Sequence, residues 1–192
     1  MTEAAPKPAS PVVQESADEH VDPYLHVPSG MRFPPEVAGF SRDGMARYDE
    51  RGADVSVGYH RADTLVAVTT TVYIYPKRAG TEDLDQHFAA AQAAVLQNRR
   101  GAELIAAGDM QLFQRGSVHE GRRAHFLIRD PGGEKPLAVS HLFLFEHGPW
   151  FIKYRATFPA QQHEVADEVL LRFMGALDWP EVTPSVLAAR ER

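Results

Sequence analysis

Leu65-Val66-Ala67-Val68-Thr69-Thr70-Thr71-Val72-Tyr73-Ile74-Tyr75-Pro76 is a run of mostly β-branched and aromatic side chains closed by a proline. Such side chains fit a pleated strand and lose rotamer freedom in a helix. A period of two places Val66, Val68, Thr70, Val72 and Ile74 on one face. Leu65, Ala67, Thr69, Thr71, Tyr73 and Tyr75 take the other. Neither face carries a charge, so the strand is expected to be covered on both sides and to lie near the centre of a sheet. Pro76 ends it, and residues 77–80 lead into a helix.

Upstream, 54–61 alternates Val55, Val57 and Tyr59 with Ser56, Gly58 and His60, the pattern of a half-buried strand. A shorter strand is expected at 45–50, and Phe33-Pro34-Pro35 marks the entry to the domain. Downstream, Thr81 is the expected N-cap of a helix, with Glu82, Asp83 and Asp85 complementing its dipole. Leu84, Phe88, Ala91 and Val95 form its inner stripe, and Asn98-Arg99-Arg100-Gly101 closes it. Four strands are expected next, at 104–113 (irregular around Gly108), 119–130, 136–146 and 150–158. Pro131-Gly132-Gly133 and His147-Gly148-Pro149 supply the turns of the last three. A second helix at 160–179 carries Ala166, Val169, Leu170, Phe173 and Leu177 inward and stops at Pro180. The class is α+β: a mostly antiparallel sheet of about seven strands with two main helices packed on it.

The 192 residues fit one domain, 36–180, between tails at 1–35 and 181–192. The first tail is rich in proline, alanine and acids and is expected to be disordered or loosely docked, so removing residues 1–30 is expected to leave folding intact. Residues 1–30 carry a net charge of −4, which leaves −2 on the remainder from a total of −6 and gives no electrostatic case for nucleic acid. Cysteine is absent, which excludes disulfides, thiolate catalysis and zinc–sulfur sites. No apolar stretch approaches the roughly 20 residues that span a bilayer. A chain starting naturally at Met1 is expected in the cytoplasm, and one trimmed of an export signal in the periplasm.

The order of strands, helix, four strands and helix resembles the PsbP-like fold, an α/β/α sandwich. The resemblance is carried by 54–76 running into the helix at 81–100, and by 150–158 running into the helix at 160–179. It covers most of 36–180 and is one of layout, without a diagnostic motif. It implies a family of binding or accessory subunits, small bacterial proteins among them, and carries over no metal site and no residue role.

The best chemical constellation is a set of strand histidines. A turn symmetric about Gly133 places His125 opposite His141, and a tight turn at His147-Gly148 places His141 opposite Tyr154. Two imidazoles about 5 Å apart on one sheet face suit a divalent metal or a shared proton. A slip of one residue would separate them, and ordinary hydrogen-bonded strand histidines are the simpler expectation. His163-Glu164 lacks the second histidine of HExxH, with Asp167 in its place, and reads as a solvated helix start. Arg99, Arg100, Arg115, Arg122, Arg123 and Arg129 make one region basic, an anion site if they converge and scattered surface charge otherwise. Gly132-Gly133 is a turn and not a phosphate loop, and Tyr73, Tyr75, Trp150, Phe151 and Tyr154 read as core before they read as a stacking surface.

The expected function is a non-catalytic binding or accessory module for a protein partner or small ligand, with His125, His141 and Tyr154 as the ligand-binding candidates. No catalytic set and no cofactor is implied. The competing class is a small metal- or acid/base-dependent enzyme using the same residues.

Overall fold

The computed structural model describes residues 11–16, 22–77, 83–129 and 136–179. The chain enters through four short strands, β1 (Val13–Ser16), β2 (Tyr24–His26), β3 (Met31–Phe33) and β4 (Glu36–Val37). Then come β5 (Phe40–Arg47), β6 (Val55–Ala62), β7 (Ala67–Pro76) and the helix α1 (Leu84–Asn98). Four long strands follow: β8 (Ala102–Gln114), β9 (Ser117–Arg129), β10 (Pro136–His147) and β11 (Trp150–Pro159). A 3-10 turn, Ala160–Gln162, feeds α2 (His163–Ala176).

Nine strands form one sheet in the order β1-β5-β6-β7-β11-β10-β9-β8, with β4 beside β5, while β2 and β3 form a separate hairpin. All pairings are antiparallel. The sheet is therefore larger than the seven strands expected, because β1 and β4 join it from residues read as tail and domain entry. These pieces are two to four residues long. Strands so short have no alternation to read, and their pairing is set by the surface they meet.

Met31 and Phe33, both fully buried, belong to the main core. The entry is fixed by Arg42, whose Nη1 donates to the Phe33 carbonyl at 2.7 Å, and by Tyr59, whose hydroxyl donates to the Pro34 carbonyl at 2.8 Å. The segment Tyr24-Leu25-His26-Val27 is thus docked in part. His26 is buried with its ring edge against Trp150, centroids 5.3 Å apart.

The two helices take opposite faces. α2 lays Ala166, Val169, Leu170 and Phe173 onto the face that carries Val72, Ile74, Phe143, Phe145 and Tyr154. Leu177, just past the helix, completes the expected stripe. α1 presses Phe88 and Val95 against Ala124, Phe126, Leu142, Leu144 and Phe151. Its N-cap is Asp83, whose carboxylate accepts from the Gln86 amide at 2.7 Å. Thr81, the expected cap, lies outside the described residues, as do the turn at Pro131-Gly132-Gly133, Pro180 and the tail at 181–192.

Strand β7 is central in the sheet, as its composition implies. Val66, Val68, Thr70, Val72 and Ile74 are buried. The other face is not covered along its length: Ala67 and Thr69 are exposed, and Thr71, Tyr73 and Tyr75 are half-buried. The helix on that side rests on β8, β9 and β10. Among the described residues, no helix crosses the half of this face formed by β5, β6 and β7. Strand β8 bulges between Leu104 and Ala106, ahead of Gly108 where irregularity was expected.

Candidate functional site

The β9–β10 ladder sets His125 opposite His141, the register expected from a turn centred on Gly133. Their rings stack with centroids 3.9 Å apart and planes 8° from parallel. Tyr154 does not join them. The loop between β10 and β11 is the two residues Gly148-Pro149, flanked by the pair His147 and Trp150. Gly148 has φ +56°, a conformation that glycine adopts without a Cβ penalty and that suits a two-residue hairpin. This shifts the register by two residues from that of a turn closing on His147-Gly148. His141 therefore faces Ala156, and Tyr154 faces Phe143. Tyr154 is fully buried, accepts from Trp179 Nε1 at 2.9 Å, and has its phenol pKa pushed up by burial.

Tertiary packing adds a carboxylate in its place. Asp167 on α2 brings Oδ1 to 3.4 Å from His141 Nδ1. The sequence reading made Asp167 part of a solvated helix start. Its position beside Ala166, and three residues before Leu170, was the available sign that it borders the buried stripe. His141 is 2% exposed. Burial, with His125 and Arg123 adding positive charge, lowers its pKa to about 3. His125 is also lowered, mainly by burial, against the pull of Asp167. Burial raises Asp167, against the pull of His125, His163 and Arg123.

Burial thus favours the uncharged form of both imidazoles beside Asp167. Lone pairs of imidazole nitrogens lie in the ring plane, and a metal sits there about 2.0–2.1 Å away. Two stacked parallel rings cannot both aim at one ion. Among the described residues, no group of three histidines or acids has the arrangement to hold a metal. Three of the six arginines of the basic region are paired: Arg122 with Asp85 and Asp109, Arg129 with Glu103, and Arg115 with Asp178.

The opposite side of the sheet holds groups that sequence reasoning missed. On the uncovered half, Lys153 and Arg155 of β11 lie opposite Tyr73 and Thr71 of β7. Lys153 Nζ stands 4.1 Å from the Tyr73 ring centroid and 5.4 Å from that of Tyr75. Arg155 Nη2 donates to the Ser140 hydroxyl at 3.2 Å, and Thr157 donates to the same oxygen at 3.4 Å. Both cations are half-buried. Burial, then the neighbouring Arg155, lowers Lys153 to about 8, with Asp54 opposing. A shallow cavity of about 470 Å³ opens at the end of the same strands, lined in part by His60, Ala67, Thr69, Leu137 and Thr157. The signal in the sequence was the alternation of Lys153 and Arg155 with Ile152, Tyr154 and Ala156, which puts both cations on one face.

The architecture defines an α+β protein with one helix on each face of a large antiparallel sheet. No protein-family model matches the sequence, and no curated protein matches it. Among solved structures it is similar to cyanobacterial PsbP (CyanoP) from Synechocystis sp. PCC 6803, determined in solution. That likeness has 14% identity and a TM-score of 0.49, over 83% of this chain and 92% of that one. It is a likeness of fold. Among the described residues, no helix is long and apolar enough to cross a membrane.

Proposed function

We propose that this protein is a non-catalytic binding module that takes a small ligand on the sheet face left open beside α1. The observation that carries this reading is the uneven cover of that face. Its β8–β10 half is packed by Phe88 and Val95, while its β5–β7 half presents Thr69, Thr71 and Tyr73 beside a cavity. Ligand sites are commonly concave and lined by aromatic groups with a few polar anchors, and this surface has that composition. The test is a set of amide NMR spectra recorded with small anionic, sugar and aromatic compounds. Perturbations are expected to cluster on Thr69, Thr71, Tyr73, Lys153 and Arg155. A response confined to His125, His141 and Asp167 would overturn the reading.

One observation favours a second reading, an acid/base enzyme: the approach of Asp167 to His141 at 3.4 Å. A carboxylate that orients an imidazole is a common catalytic pairing. Against it stands a pKa of about 3 for His141, far from that of a general base at neutral pH. This reading requires an activity that His141→Phe abolishes while the fold persists.

A further inference from the structure

Buried charges in proteins are ordinarily paired, because an uncompensated ion out of water is costly. Lys153 and Arg155 depart from that rule. Among the described residues, neither has a carboxylate within 4.0 Å, although six other lysine and arginine side chains do. Lys153 makes no hydrogen bond with a described residue and rests on the Tyr73 ring. Arg155 uses Nη2 on Ser140, and its Nε is buried without a partner. The charges around them deepen the imbalance. Arg99, at the end of α1, adds repulsion to Arg155, and Lys153 and Arg155 repel each other. Asp54 is the one opposing carboxylate, acting on Lys153 at longer range.

Resting on the binding-module reading above, we infer that Lys153 and Arg155 form an oxyanion site for a small organic ligand bearing a carboxylate or phosphate group, whose remainder lies toward the cavity at Thr69 and Thr157. The chemistry suits the two side chains. A guanidinium offers a planar set of donors matched to oxyanions, and an ammonium adds a compact charge that needs no fixed geometry. The Ser140 hydroxyl, which accepts from both Arg155 and Thr157, links the cations to Thr157 on the cavity wall. The aromatic rings of Tyr73 and Tyr75 hold the lysine in place from the other side.

The test uses the full chain and two probes, inorganic phosphate and acetate, at constant ionic strength, with chloride as reference. Amide shifts around Lys153 and Arg155 are followed, together with the Lys153 pKa read from its side-chain ¹³C shift. An oxyanion in contact is expected to raise that pKa from about 8 by roughly one unit, the size of shift a close opposite charge produces. Preference for phosphate over acetate assigns a phosphate ligand, and the reverse a carboxylate. Lys153→Met and Arg155→Gln are each expected to weaken binding about tenfold or more, the range of one charge-assisted hydrogen bond. His141→Phe is expected to leave binding unchanged. Thermal melts check folding, and if R155Q fails to fold, K153M carries the test alone. Equal responses to chloride, phosphate and acetate would overturn the inference, as would undiminished binding by K153M. If neutral sugars or aromatics perturb Thr69 and Thr157 while oxyanions do not, the inference falls and the binding face stands. If nothing perturbs this face, both fall.

Discussion

His141 shows how burial rewrites a side chain. Its pKa of about 3 against the usual 6.5 means that the folded protein refuses a proton that the unfolded chain accepts. Stability from this group is complete above the unfolded pKa and is lost as pH falls from 6.5 toward 3. From pH 7 to pH 5 the loss is about 2 kcal/mol at 1.36 kcal/mol per unit. His125, lowered in the same direction, adds to it, and Asp167, raised by burial, opposes it near its own titration. His141→Phe keeps a ring against His125 and Phe158 and removes the titration. Urea unfolding at the two pH values is expected to show wild type losing more than H141F, by about that amount. Equal losses would mean that His141 is charged in the fold. That His125 lies opposite His141 was legible in the sequence, because a turn taken as symmetric about Gly133 gives that register. The pair's carboxylate neighbour was not, because no periodicity links residue 167 to strand β10.

Elements meet here through close approaches that a single methyl group would block. In β9, Gly121 lies opposite Phe145 of β10, and a Cβ at Gly121 would overlap that ring and the Leu144 carbonyl. The backbone carbonyl cannot yield as a side-chain end can. Gly121→Ala is therefore expected to cost about 1–3 kcal/mol, the usual range for overpacking. Denaturant melts measure it, and a neutral result would show that β9 and β10 slide apart there without penalty. The long strands and both helical stripes were readable from periods of 2 and 3.6. The β10–β11 register was misjudged because it depends on where the turn begins. Counting the loop as Gly148-Pro149 moves Tyr154 from His141 to Phe143.

Across the whole molecule, residues 11–16 and 22–35 are part of the architecture. β1 extends the sheet at β5, while Met31 and Phe33 enter the core beneath α2. Phe33→Ala is expected to cost about 3–5 kcal/mol, as for other fully buried phenylalanines. A chain lacking residues 1–30 loses β1, β2 and the buried His26. It is expected to unfold at clearly lower urea than the full chain, contrary to the expectation from its tail-like composition. Equal midpoints would show that the hairpin adds nothing to the domain.

The sequence by itself determined the class, the two helices and their inner faces, the long strands, and the meeting of His125 with His141. These follow from local pattern, since side-chain period and turn symmetry act within a few residues. Tertiary structure alone decided what lies across the sheet. It brought Asp167 to His141, sealed Tyr154 in the core, and set α1 over β8 to β10, leaving Lys153 and Arg155 half-buried beside strands that no helix among the described residues crosses. Alternation says that two cations share a face. Whether a carboxylate neutralises them depends on residues distant in the chain, and only the folded packing settles that.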